Sequence, residues 1–243
     1  MEKKYELTSE TFQVNKHTLH RIKALRDFGC VKVGDLGGFI ETEDNLSQEG
    51  DCWVYDDAKV YDNAKVYGNA TVNDSAIVCH YAIVTDNAKI SDNAKIYDSA
   101  VVSDYAQVFN NAQIYGDARI YNEVLIFDNA KISGDARVYN NAVVCGKSHV
   151  FDAARLLGYI QIFGDAIIKS KEDYIAFKNW WSSGRYFTWT RSNNMWKVGC
   201  FFGTGQELID KAYKDSEESG REYQRIVNYV QDILGLPHLE RTK

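Results

Sequence analysis

Apolar residues recur every six positions from Val54 to Lys171. Stepping by six from Val54 meets Val60, Val66, Val72, Val78, Val84, Ile90 and so on to Ile162 and Ile168, twenty hexads with no miss and no insertion. Four residues after each aliphatic stands a small residue, nearly always alanine, from Ala58 to Ala166; Val124, Ser148 and Ile160 are the departures. A helix needs an apolar period near 3.6 and a half-buried strand a period of 2. A period of six over this length fits neither. It fits a solenoid in which each hexad is one short strand and one turn, and three hexads close a triangular coil of 18 residues. The aliphatic residue then points into the prism and the small residue fills its inner corner. Pairs such as Asp56-Asp57, Asp62-Asn63, Gly68-Asn69 and Gly134-Asp135 make the turns, because these residues tolerate left-handed backbone and bond their own main chain. The expectation is a mainly β protein, a parallel β-helix of about seven coils and roughly 32 Å in length at ~4.8 Å per coil.

The hexads divide the chain into three parts: an N-terminal β cap over residues 1–53, the β-helix over 54–171, and a C-terminal α+β module over 172–243. In the first part, Thr11–Val14 and Thr18–Leu25 read as a hairpin around Asn15-Lys16-His17, with a short strand at Val31–Val33. Gly37-Gly38 suggests a tight turn into the solenoid. The open first coil needs a cover, and Trp53 is placed to lid it. In the last part, Trp180-Trp181 and Ser182-Ser183-Gly184 form a junction. Arg185–Arg191 and Met195–Phe201 read as a hairpin over Ser192-Asn193-Asn194. Thr204 caps a helix with Glu207 in its first turn, and a second helix spans about Glu222–Leu234, ended by Gly235 and Pro237.

Residues 18 apart lie above one another, so the outward positions form ladders. One face is polar at Thr71, Asn73, Lys89 and Ser91 but apolar further on, at Phe109, Leu125, Phe127, Val143, Cys145 and Phe163. An apolar stretch of that size marks an interface, with a second copy of the chain or with the C-terminal module folding back. A second face stacks Arg119, Arg137 and Arg155 beside Tyr121 and Tyr139. Guanidiniums at ~4.8 Å spacing repel one another. Either an anionic ligand or acidic partner relieves them, or Asp117 and Asp135 neutralise a solvated face. Arg185, Trp189 and Arg191 join the candidate contact residues. The third face mixes Lys95, Tyr97, Gln113, Tyr115, Lys131 and Phe151.

Charge and chemistry narrow the classes. The chain has 28 basic and 34 acidic residues, a net charge of −6, which has the wrong sign for gripping nucleic acid along its length. No apolar run approaches a bilayer span, and Met1-Glu2-Lys3-Lys4 does not open a secretory core, so a cytoplasmic protein is expected. Cys30, Cys52, Cys79, Cys145 and Cys200 are widely spaced and read as free thiols. No P-loop, dinucleotide fingerprint or metal-ligand spacing stands out, and neither cofactor nor metal is expected. His80 and His149 read as surface residues of the array; His17, His20 and His238 lie outside it. Cys200, with no histidine nearby in sequence, reads as core rather than nucleophile.

The block Gly34-Asp35-Leu36-Gly37-Gly38-Phe39-Ile40-Glu41, then Asn45-Leu46-Ser47-Gln48-Glu49-Gly50-Asp51-Cys52-Trp53-Val54-Tyr55 followed by the hexads, resembles a family of hexapeptide-repeat proteins of phages, prophages and gut bacteria. It is also similar to the YdcK-like proteins of enteric bacteria, often labelled transferases. The resemblance spans roughly residues 1–171 and implies a left-handed β-helix, with no established reaction. The phage association suggests a role against host functions, and with the apolar and arginine–tyrosine ladders it gives the expectation of a non-enzymatic oligomer, a dimer or trimer, that blocks a host defence protein or sequesters a nucleotide-like signal. Two alternatives stand beside it. One is a hexapeptide-repeat acyltransferase, which needs a general base beside a thioester cleft; the array has no inserted loops to build that cleft. The other is a structural or assembly component.

Overall fold

The computed structural model describes residues 2–179 and 184–242. At its centre is a three-sided parallel β-solenoid. Each hexad contributes a two-residue rung, such as Lys59–Val60, Lys65–Val66 and Thr71–Val72. Rungs pair in parallel with those 18 residues away, as Lys89 with Gln107 and Ile90 with Val108. Three stacks result. The first face runs from Lys59–Val60 to Ile167–Ile168, the second from Trp53–Val54 to Gln161–Ile162, and the third from Lys65–Val66 to Arg155–Leu156.

Every inward aliphatic from Val54 to Ile168 is buried, and so is every corner residue from Ala58 to Ala166. Burial of such a side chain stabilises by about 1.5–3 kcal/mol, but only when coils above and below supply the walls, so stability belongs to the stack. The corner admits the three departures from alanine. Val124 is fully enclosed, Ile160 is nearly so in the last coil, and Ser148 turns its hydroxyl to donate to the Cys145 carbonyl at 2.7 Å.

The turns differ from expectation in one respect. The first turn residue is left-handed, with φ near 57° at Asp62, Asp74, Asp92 and Asp104. Its carboxylate, however, does not bond its own segment. It accepts the amide of the residue one coil further on: Asp74 from Asp92 at 3.0 Å, Asp92 from Asn110 at 2.8 Å, Asp104 from Asn122 at 2.8 Å. Asp and Asn are thus selected twice, for their tolerance of positive φ and for reaching the next coil's turn.

The solenoid begins before the hexads do. Strands β1 (Tyr5–Val14) and β2 (His17–Ala24) form an antiparallel hairpin, and β2 pairs antiparallel with β3 (Leu36–Ile40). β3 in turn pairs in parallel with the Lys59–Val60 rung, Ile40 opposite Val60. Leu46 bridges to Val66 and Val54 pairs with Val72. Ile40, Leu46 and Val54 are therefore the inward residues of a first coil that is two residues longer than the rest. Gly37 and Gly38 lie within β3 rather than in a turn. A Cβ on Gly38 would stand 2.6 Å from the Ala58 carbonyl, and one on Gly37 2.5 Å from the Val54 carbonyl, so backbone approach is what demands glycine here. The strand expected at Val31–Val33 reduces to one bridge between Phe28 and Val31. Trp53 is 1% exposed, with the rings of Tyr5 and Phe28 edge-on at 6.1 and 5.3 Å.

After the last coil, β4 (Tyr174–Lys178), β5 (Tyr186–Thr190), β6 (Met195–Val198) and β7 (Phe201–Gly203) form an antiparallel sheet, two strands more than the expected hairpin. The junction at Trp180-Trp181 and Ser182-Ser183 lies outside the described residues. Helix α1 (Gly205–Asp215) is capped by Thr204 and Glu207 as expected. Helix α2 runs Glu217–Leu234, five residues longer than the sequence suggested, because Ser216 caps it and Gly220 inside it accommodates the Tyr213 ring. Phe187, Trp189, Trp196, Leu208, Ile209, Val227 and Val230 make a separate core.

Two outcomes follow from this packing. Gly38→Ala forces a methyl into a carbonyl and is expected to cost about 1–3 kcal/mol; a thermal melt matching wild type would refute the close-approach reading. The Glu207 carboxylate, accepting from the Thr204 amide and hydroxyl at 2.8 and 2.9 Å, is held below the usual carboxylate range by those bonds. Its contribution is complete above the unfolded carboxylate pKa and is lost as pH falls through the lowered folded value. Melting temperature measured across an acid pH series should therefore fall less steeply for Glu207→Gln than for the wild type.

Candidate functional site

The third face carries the cationic column. Arg119, Arg137 and Arg155 pair through their backbones in consecutive coils, and all three are exposed. Among the described residues none of them forms an ion pair, with Asp117 and Asp135 or with any other carboxylate; the arginine ion pairs found involve Arg21, Arg225 and Arg241. At one-coil separation each neighbouring pair repels by roughly 1 kcal/mol in water. Beside the column, Tyr121 and Tyr139 stack at 5.0 Å with planes 5° apart. Tyr174 extends the aromatic strip, its hydroxyl donating to the Arg155 carbonyl at 2.9 Å.

The second face carries the apolar ladder. Phe109 and Phe127 stack at 5.0 Å, and Leu125 and Val143 are paired in the next register. These four are half-buried. Cys145 is enclosed, and burial pushes its thiol up to about 12, which leaves it unreactive. The C-terminal module reaches only the far end of this ladder. The Lys197 ammonium lies 4.3 Å from the centre of the Phe163 ring, and Phe202 packs on the same ring at 6.1 Å. Leu125 and Val143 line a groove of about 510 Å³ with Tyr105, Gln107, Glu123 and Asn141, and among the described residues no ring pair or hydrogen bond joins Phe109 or Phe127 to the module.

The remaining candidates scatter. Trp189 is 2% exposed, its indole donating to Asn194 at 2.9 Å; it is a core residue of the module and has no free face for a ligand. Arg191 donates to the Glu172 carbonyl at 2.9 Å and fastens the end of β5 to the short turn that follows the last rung. Arg185 hydrogen-bonds Tyr223 and lines a cavity of about 140 Å³ with Phe201, Lys211 and Cys200. Cys200 is exposed rather than core. His80 lies 3.0 Å from Asp98 on a turn column. His149 packs on Phe151 at 4.5 Å, and burial with the nearby Lys131 holds its pKa below the usual histidine value.

One cluster escaped the sequence reading. His17, Glu41 and Asp62 converge at the N-terminal end of the first face, beside a cavity of about 420 Å³. His17 Nδ1 is 2.9 Å from Glu41 Oε1, and Nε2 is 3.2 Å from Asp62 Oδ1. Burial pushes the Glu41 carboxyl up, but the bonds from His17 and the Asp62 amide outweigh it and hold the carboxyl below its usual range. The three residues come from a hairpin, the end of β3 and a hexad turn, at separations that follow no motif.

Three stretches, residues 64–80, 112–126 and 130–146, match the family model described as the YdcK β-solenoid repeat, all inside the hexad array. A 38-residue segment is 50% identical to the "Uncharacterized acetyltransferase YdcK" of Escherichia coli strain K12, covering 16% of this chain and 12% of that relative. The similarity is thus one of repeat type; the chain aligns with about an eighth of the relative's length. No helix among the described residues is long and apolar enough to cross a membrane.

Proposed function

We propose that this chain is a non-catalytic binding protein that self-associates through its second face and offers the arginine column of its third face to an anionic partner. The observation that carries this reading is the unneutralised column: three exposed arginines on backbones one coil apart, with no ion pair among the described residues. An anion placed against them removes their mutual repulsion and gains charge-assisted hydrogen bonds. The Tyr121–Tyr139 stack adds a flat aromatic border, which suits a nucleotide-like molecule or an acidic surface of a host protein. The half-buried ladder at Phe109, Leu125, Phe127 and Val143 supports self-association, since the ring contacts found between it and the module among the described residues are at Phe163. A closed two-fold or three-fold arrangement would bury it in every copy.

A second reading, acyl transfer, is favoured by the name of the E. coli relative and by the His17–Glu41 contact beside a cavity. A carboxylate on one imidazole nitrogen is how a general base is oriented.

Light scattering at micromolar concentration is expected to give a dimer or trimer for the wild type and a monomer for Leu125→Glu, with unchanged dichroism. A wild-type monomer would refute the self-association. Arg137→Glu should abolish capture of the anionic partner while leaving the melting temperature in place; unchanged capture removes the column from consideration. Acyl transfer predicts saturable acetyl-CoA binding by calorimetry, and its absence ends that reading.

A further inference from the structure

The His17 ring is set between two carboxylates. Both ring nitrogens face carboxylate oxygens, Nδ1 toward Glu41 at 2.9 Å and Nε2 toward Asp62 at 3.2 Å. Each contact needs something positive between its atoms: an imidazolium supplies it with two N–H groups, and a neutral ring with one N–H supplies it at one nitrogen and leaves the other nitrogen's lone pair for a metal ion. The surrounding bonds are already committed. Glu41 Oε2 accepts the Asp62 amide at 2.7 Å, and Asp62 Oδ2 accepts the His80 amide at 3.3 Å. These fix both carboxylates and aim one oxygen of each at the ring. The side chains are sheltered, His17 being 14% exposed, Glu41 26% and Asp62 23%, and the Tyr61 ring flanks the imidazole at 5.3 Å.

One ligand atom from each of the three lies within 4.8 Å of the other two. Two ligands of a tetrahedral zinc ion, bound at ~2.0–2.2 Å, stand roughly 3.4 Å apart. The 3.2 Å between His17 Nε2 and Asp62 Oδ1 is close to that edge. The 2.9 Å on the other nitrogen is an ordinary hydrogen bond. Glu41 therefore sits where an orienting carboxylate holds a metal-bound histidine through its second ring nitrogen.

We propose that His17 Nε2 and Asp62 Oδ1 bind a divalent metal ion of zinc-like preference, with Glu41 orienting the imidazole and the remaining coordination positions open to the adjoining cavity. From the imidazolium, binding displaces the Nε2 proton to solvent; from the neutral ring with its N–H toward Glu41, Nε2 binds through its lone pair and no proton leaves. A neutral imidazole, two carboxylates and one divalent cation then sum to no net charge. The cavity is also lined by Asp44 and Thr42, so an oxygen ligand or water completes the sphere. His17 belongs to the hairpin, Glu41 follows the strand that starts the first coil, and Asp62 belongs to the first hexad turns. The ion acts as a staple across these three segments, fastening the N-terminal cap to the prism.

The test uses the full chain, stripped with a chelator and dialysed, and zinc chloride as the probe. Calorimetry is expected to show one saturable ion per chain, and binding should raise the melting temperature. Asp62→Asn should abolish both effects, and Glu41→Gln should weaken binding by about 10–100-fold. His80→Ala and His238→Ala should leave both intact. Far-ultraviolet dichroism establishes that each variant is folded, and if Asp62→Asn is not, Glu41→Gln decides. Absence of saturable binding by the wild type at micromolar zinc overturns the proposal, as does binding that survives Asp62→Asn and Glu41→Gln or disappears with His80→Ala.

Discussion

A β-solenoid leaves its first and last coils without a neighbour, and what becomes of their main-chain groups governs both ends of this protein. Inside the stack, outward residues donate their amides to the coil ahead, as Lys59 to Ala76 and Thr71 to Ala88. At the first coil the matching carbonyls have no donor coil, and side chains replace it. The Lys4 ammonium, fully buried, reaches the carbonyls of Cys52 at 2.9 Å and of Glu49 and Gly50 at 3.3 Å. Arg21 donates to the carbonyls of Gly37 and Asp56, and the Tyr5 hydroxyl to that of Leu46 at 2.6 Å. Burial drives the Lys4 pKa down, so the cost of holding it there is set against several main-chain acceptors at once.

The far end is solved with hydroxyls, amides and a carboxylate. Thr188 and Ser192 accept the amides of Gln161 and Ile167, Asp173 accepts that of Lys169, and Asn193 donates to the Phe163 carbonyl. Most of these residues sit on β5 or in the turn that follows it. The C-terminal sheet is therefore held against the last coil by the same unmet groups that would otherwise invite another strand. Its position brings Lys197 and Phe202 onto Phe163 at the end of the apolar ladder.

The hexads made the prism readable because one rule, six residues to a rung, decides which side chain points inward for over a hundred residues. Turn composition was readable too, but its purpose was not: the bond from an Asp to an amide 18 residues on exists only once coils are stacked. Gly37-Gly38 looked like a turn because local sequence carries no record of the Val54 and Ala58 carbonyls above it. The ladders could be written down in advance since register fixes them. Whether Asp117 or Asp135 would reach the arginines depended on side-chain directions that register does not set. His17, Glu41 and Asp62 were invisible for a different reason: they meet through a hairpin, a parallel rung and a lengthened first coil, none of which follows the six-residue rule.

The constancy of the coil has a bearing on how such a chain can vary over generations. Registers such as Arg119 to Arg137 and Leu125 to Val143 advance by 18. Loss or duplication of one whole coil therefore shortens or lengthens the prism while every downstream side chain keeps its face. Loss of a single hexad, equally silent for the interior, would turn everything after it by one face and carry the later arginines onto the first face, where Gln113 and Lys131 now stand. Selection for the fold tolerates both events; selection for a surface tolerates only the first. The length of a prism of this kind can drift in steps of three hexads, while the alignment of its ladders is inherited.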